Sequence, residues 1–143
     1  DGYSPILREI SMAAPVISGD GIFSHVFIGA SDVQKSAAFY DAALGALGIK
    51  NLGPFGSAAV LYGRDKPALL VGRPGNGQAP SSNGVTLGFA ASTPAEVDAF
   101  HAAGVAAGGS DEGKPGPRSH LPGAYAAYLR DPAGNKVCAY TFV

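Results

Sequence analysis

Phe23-Ser24-His25-Val26-Phe27-Ile28-Gly29-Ala30-Ser31-Asp32 is an apolar run carrying one histidine and leading into a helix start. A weaker copy stands 61 residues later as Gly84-Val85-Thr86-Leu87-Gly88-Phe89-Ala90-Ala91-Ser92-Thr93, with Thr86 in the place of His25. In the first copy Phe23, His25 and Phe27 share one strand face, and Val26 and Ile28 share the other. Both faces are apolar enough to predict a strand, Ile22 to Gly29, that is covered on both sides. Ser31 or Asp32 caps the helix that follows. Val33, Ala37, Tyr40, Leu44 and Leu47 recur at helical spacing, and Gly48 closes it as a C-terminal glycine. In the second copy Thr93-Pro94-Ala95-Glu96 forms a capping box with proline at the first helical position. That helix passes through Val97, Phe100 and Ala103 to about Ala107, where Gly108-Gly109 stops it.

The repeat extends beyond this pair. At the offset of 61, Ala30, Ser31, Ala38, Phe39, Ala42, Ala46 and Gly48 meet Ala91, Ser92, Ala99, Phe100, Ala103, Ala107 and Gly109 without a gap. Ser57 to Tyr62 and Ala68 to Arg73 read as strands joined by the turn Gly63-Arg64-Asp65-Lys66-Pro67. Ala124 to Arg130 and Lys136 to Phe142 read as strands joined by Asp131-Pro132-Ala133-Gly134-Asn135. At an offset of 68, Ala58-Ala59 meets Ala126-Ala127 and Leu61 meets Leu129. Pro74 to Asn83 is a turn-rich linker, and Ser110 to Gly123 reads as a loop. The chain is therefore an α+β protein of two tandem βαβββ modules, about 22–74 and 84–143, which form a cupped mixed sheet with helices outside and a cleft inside. The domain spans 12–143. Asp1 to Ser11 precede the single methionine, Met12, and read as a vector-derived or upstream extension.

Composition narrows the function. In 143 residues, 46% are apolar, 15% are charged and the net charge is −1, which fits a packed core of one domain and no disorder. No basic stripe interleaved with aromatics points to nucleic acid, and no apolar run approaches the roughly 20 residues of a membrane span. One cysteine, Cys138, makes no internal disulfide and suits a reducing cytoplasm.

Three stretches together carry a family resemblance: SHVFIGASDVQKSAAFYDAALGALG, GVTLGFAASTPAEVDAFHAAGVAAGG, and YAAYLRDPAGNKVCAYTF with its DPxGN turn. Across about residues 22–143 the sequence resembles the vicinal oxygen chelate superfamily of glyoxalases, bleomycin-resistance proteins, fosfomycin-resistance enzymes and extradiol dioxygenases. The resemblance implies metal-ligand positions on the first and last strand of each module, here His25, Leu70, Thr86 and Cys138. Members usually have histidine at the position of Thr86 and glutamate at that of Cys138. A divalent Lewis acid needs several imidazole or carboxylate ligands, so the expectation is a small-molecule-binding protein without the usual metal. His25 is then a cleft or interior histidine. The alternative is a glyoxalase-like lyase or isomerase, or a ring-opening dioxygenase, with zinc, nickel, manganese or iron in a rebuilt site of His25, His120 and Cys138. A third reading is a dimer-forming domain with a vestigial cleft.

Further contacts to a ligand are expected from Thr86, from Arg118 and His120 on the long loop, from Arg73 at the cleft rim, and from one of Tyr125 and Tyr128. These two alternate along a strand, so only one can face the cleft. The resemblance also implies a homodimer.

Overall fold

The computed structural model describes residues 21–143; the segment 1–11 set aside above lies outside the described residues. Each module folds as one strand, one helix and three strands. The first contains β1 (Val26–Gly29), α1 (Val33–Gly45), β2 (Lys50–Phe55), β3 (Ala59–Gly63) and β4 (Leu69–Gly72). The second contains β5 (Thr86–Ala90), α2 (Pro94–Ala106), β6 (Ser110–Pro117), β7 (Ala124–Arg130) and β8 (Lys136–Phe142). In each, the first strand runs parallel to the last at one edge and the rest is antiparallel, giving the orders β1-β4-β3-β2 and β5-β8-β7-β6. The cupped sheet is thus two four-stranded sheets, with no ladder joining the edge strands β1 and β5.

Local signals act where the sequence places them. Asp32 caps α1 by accepting from Lys35 N at 3.1 Å. Thr93 Oγ1 caps α2 by accepting from Glu96 N at 3.2 Å, and the Glu96 carboxylate accepts from Ser92 N. Gly48 and Gly108 take φ of +76° and +104°, which lets Ile49 N and Gly109 N reach back to Leu44 O and Gly104 O. The turn after α2 is one residue shorter than that after α1, so Gly48 corresponds to Gly108, not to Gly109.

Two expectations need correction. Ser110 to Pro117 is strand β6, not loop: Gly113 and Gly116 interrupt its register with β7, and charge and glycine hide its period of two. On β3 and β7 the repeat offset is 67. Ala59 pairs with Gly72 as Ala126 pairs with Tyr140, so Leu61 corresponds to Tyr128, and Tyr62 to Leu129. The alanine identities at 68 were coincidental, and a one-residue slip exchanges the two faces of a strand.

Val26, Ile28, Leu69, Val71, Leu87, Phe89, Val137 and Ala139 point toward the helices and join Phe39, Leu44, Val97 and Phe100 in one core shared by both modules. The helices cross closely at Gly104, where an added Cβ would strike Leu129 Cδ1 and lie 3.0 Å from Phe39 Cε2. The opposite face of the first strand is not covered as expected: Phe23 is 78% exposed and Phe27 47%.

The modules are tied by two equivalent contacts. Asn135 Nδ2, in the β7–β8 turn, donates to Gly29 O at 2.8 Å; Arg64 Nη2, in the β3–β4 turn, donates to Ala90 O at 2.8 Å. Gly29 and Ala90 occupy the same place at the ends of β1 and β5. Asp131 organises the first of these ties. Its Oδ1 accepts from Ala133 N and Asn135 N, and its Oδ2 accepts from Asn135 Nδ2 and, at 2.6 Å, from the buried Tyr40 hydroxyl. Burial, then the Asp131 carboxylate, holds the Tyr40 phenol well above the usual tyrosine range.

Asn135→Ala removes the tie to Gly29 and is expected to lower unfolding stability by about 1–3 kcal/mol with an unchanged denaturant m value; a loss below about 0.5 kcal/mol would remove the tie from the stability account. Gly104→Ala, which in an isolated helix would add about 1 kcal/mol, is expected here to cost about 1–3 kcal/mol by overpacking, measured in the same denaturation experiment.

Candidate functional site

Because the strand period is two, every second residue of each sheet faces away from the helices, and hydrogen-bond register aligns those residues in rows. One row in the first module reads Phe27, Leu70, Leu61, Gly53. The equivalent row in the second reads Gly88, Cys138, Tyr128, Gly113. The same positions are thus apolar in one module and carry a thiol and a phenol between two glycines in the other. The next row of the second module reads Thr86, Lys136, Arg130, Ser110.

Arg118 lies across the Cys138–Tyr128 row. Its Nη2 donates to Lys114 O at 3.0 Å and Ala126 O at 2.6 Å, and its guanidinium carbon stands 4.9 Å from the Tyr128 ring centroid. Its Nε–H is buried with no acceptor among the described residues. Lys136 Nζ stands 5.3 Å from the same centroid. Both contacts have cation–π geometry. Among the described residues the only ion pairs are His101–Asp111 and Arg130–Glu112, so neither Arg118 nor Lys136 has a carboxylate partner.

Cys138 is 4% exposed. Burial pushes its thiol up to about 11, against the opposing pull of Lys136 and Arg118. At neutral pH it is a thiol, a poor nucleophile and a poor metal ligand. His25 is exposed just before β1, with Nδ1 2.9 Å from Ser24 Oγ. It opens on a groove of about 450 Å³ that also touches Phe23, Ala68, Leu69, Gly88 and Phe89. Gly88 therefore lies between the groove of His25 and the thiol of Cys138; a Cβ there would sit 3.4 Å from Sγ. The four family positions offer one imidazole, one hydroxyl, one protonated thiol and one aliphatic chain. Among the described residues no group of three or more histidine, cysteine, aspartate or glutamate side chains is close enough to hold a metal. These residues do not fit a divalent metal site.

Of the sequence-predicted residues, the fold gathers Cys138, Tyr128, Arg118 and Thr86 on the second module's open face, with His25 across the seam. It places others elsewhere. Tyr125 faces the helices, packs on the core and donates to Asp98 Oδ1 at 2.6 Å, so of these two tyrosines it is Tyr128 that lies on the open face. Arg73 lies by the start of α1 with Ser31, Asp32 and Ser57, away from the groove of His25. His120 is exposed in the turn that Leu121 N closes on Arg118 O. Sequence reasoning missed Lys136, although it shares the strand parity of Cys138. It also left out Phe27 and Val85, which line a seam cavity of about 190 Å³ with Asn83, Asn135 and Lys136.

The family model for the Glyoxalase/Bleomycin resistance protein/Dioxygenase superfamily matches residues 22–139. The chain belongs to this superfamily. A glyoxalase/bleomycin resistance protein from Albidiferax ferrireducens T118 is 46% identical, covering 86% of this chain and all of that one, with a TM-score of 0.75. A glyoxalase-related enzyme from Fulvimarina pelagi (20% identity, 84% and 88% covered, TM-score 0.67) has the same fold. So does a lactoylglutathione lyase from Agrobacterium tumefaciens (21%, 86% and 95%, TM-score 0.61). At these last two identities the likeness concerns the fold alone. No curated protein matches the chain.

The Cys138 environment sets a pH signature. The neutral thiol is the cheaper form to bury. Below pH 9 both folded and unfolded chains keep the proton; from 9.0 to about 11 the unfolded chain ionises first, so this group's contribution to stability falls as pH rises. At pH 7.5 iodoacetamide is expected to alkylate native Cys138 at least about a hundredfold more slowly than the urea-unfolded chain. Equal rates, followed by mass spectrometry, would mean an exposed or activated thiol.

Proposed function

We propose, starting from its membership in that superfamily, that the protein binds a small organic molecule in the cleft between its modules without a divalent metal. The observation that carries this is the ligand quartet itself: His25 alone retains a metal-binding side chain in usable form, beside Thr86, Leu70 and a buried, protonated Cys138. The cleft has what a binding site needs instead. Phe23 and Phe27 supply exposed apolar surface, and Tyr128, Arg118 and Lys136 supply convergent polar groups. Chemically this arrangement holds and orients a ligand. Among the described residues, neither a buried, protonated Cys138 nor an exposed His25 beside Ser24 Oγ is set up as a nucleophile–base pair.

The reading includes a homodimer in a reducing cytoplasm. Exposed Phe23 and Phe55 on the open side favour a second copy, and the single cysteine suits that compartment.

Metal analysis of the purified protein, followed by titration with zinc, nickel, manganese and iron(II), tests the absence of a metal. The expected result is no stoichiometric metal at any of the four; one equivalent that is lost in His25→Ala contradicts it. Binding is read with N-phenyl-1-naphthylamine, a neutral fluorescent apolar probe. Its fluorescence is expected to rise saturably with the native protein, and the absence of any rise contradicts the cleft reading.

A further inference from the structure

The two modules are equivalent in backbone and opposite in chemistry. Where the first presents Leu70 and Leu61, the second presents Cys138 and Tyr128. Tyr128 is flanked by two cations within 5.3 Å of its ring centroid, and neither has a carboxylate partner among the described residues. Arg118 and Lys136 are both partly buried, and Arg118 also keeps a buried Nε–H without an acceptor among the described residues. Two like charges held around one ring repel each other and have lost part of their water. Beyond the Tyr128 ring and the two carbonyls that Arg118 meets, such a pair is stabilised further by an anion. The two carboxylates of β6, the strand paired with that of Tyr128, are already engaged: Glu112 with Arg130, and Asp111 with His101.

The space beside the pair indicates the rest of the ligand. Lys136 also lines the seam cavity of about 190 Å³, together with Phe27 from the first module and Val85 from the second. As a gauge of size alone, a cavity of about 150 Å³ takes up benzene. The seam, which Ser81, Ser82, Asn83 and Asn135 also line, therefore has room for one ring or a short chain against Phe27 and Val85, with the Lys136 ammonium at its end.

We infer that the ligand of the cleft is an organic carboxylate, its apolar body in the seam against Phe27 and Val85 and its charged end at Lys136, with Arg118 adding a second positive charge at the Tyr128 ring. The inference deepens the cleft-binding reading and rests on it. Lys136 sets the preference for charge as an ammonium on a flexible stem. Arg118, pinned by its bonds to Lys114 O and Ala126 O, is the fixed member of the pair.

The test compares benzoate with benzamide, a neutral probe of nearly the same shape, by titration calorimetry on the full chain at low salt, with the neutral naphthylamine probe in parallel. Benzoate is expected to bind about tenfold or more tightly than benzamide, with a preference that weakens as salt is raised. In Lys136→Met the benzoate-to-benzamide ratio is expected to fall toward one; in Arg118→Lys, which keeps the charge but not the planar fork, it falls less. Naphthylamine binding with equal affinity for benzoate and benzamide overturns the carboxylate inference and leaves the cleft reading standing. No binding of any probe overturns both. Circular dichroism and the urea midpoint of each variant show whether a changed ratio comes from a folded protein.

Discussion

The structure depends on the two turn-borne contacts that hold one module to the other. β1 and β5 are edge strands that do not form a ladder, so nothing in the sheets themselves fixes how the modules sit together. Asn135 reaches Gly29 O and Arg64 reaches Ala90 O, equivalent carbonyls at the ends of equivalent strands, using unrelated side chains. The shared core behind the sheets supplies most of the apolar burial, and these two bonds supply direction. Asp131 makes the first of them rigid by collecting four donors, including the buried Tyr40 hydroxyl from α1. Carboxylates that accept several fixed donors order their surroundings, because each donor left unpaired would pay for its own desolvation.

With the modules fixed, their open faces differ by side chain alone. The first is apolar, and the second carries Cys138, Tyr128, Arg118 and Lys136. A ligand that spans the seam meets an apolar wall on one side and a positive one on the other. The thiol at the centre is kept neutral by burial in spite of its two cationic neighbours. That ordering of effects separates a binding surface from a reactive one: had the cations prevailed, Cys138 would be a thiolate and a candidate nucleophile.

Much of this was legible in the sequence because a duplicated chain states its pattern twice. The strand, cap and helix units around His25 and Thr86 could be read from period, capping residues and the ungapped offset, and the face assignments of Val26 and Phe27 hold. The strand begins at Val26 rather than Ile22 and leaves His25 just before it. Strand β6 was not legible, since Ser-Asp-Glu-Gly-Lys-Pro-Gly-Pro lacks the apolar alternation of a strand and pairs through interrupted register. The slip on β3 and β7 arose because alanines match alanines easily, whereas register is set by the partner strand. Parity showed that only one of Tyr125 and Tyr128 can face the cleft, and the pairing of β7 with β8 decides for Tyr128. For Arg73 and His120, a position near a strand end or on a loop says nothing about direction. Lys136 was passed over because a lysine opening a strand after a turn looks like ordinary surface charge, and its proximity to Tyr128 exists only once β7 and β8 are paired.

The central claim is that the open face works through an organic anion and not through a metal on His25. Crystals grown with 4-bromobenzoate and zinc, measured at the bromine and zinc absorption edges, test both halves in one map. The account predicts a bromine peak in the seam beside Phe27 and Val85, carboxylate density at Lys136, and no zinc peak at His25. A zinc peak about 2.0–2.1 Å from His25 Nε2, the length of a zinc–imidazole bond, with no bromine in the seam, would contradict it.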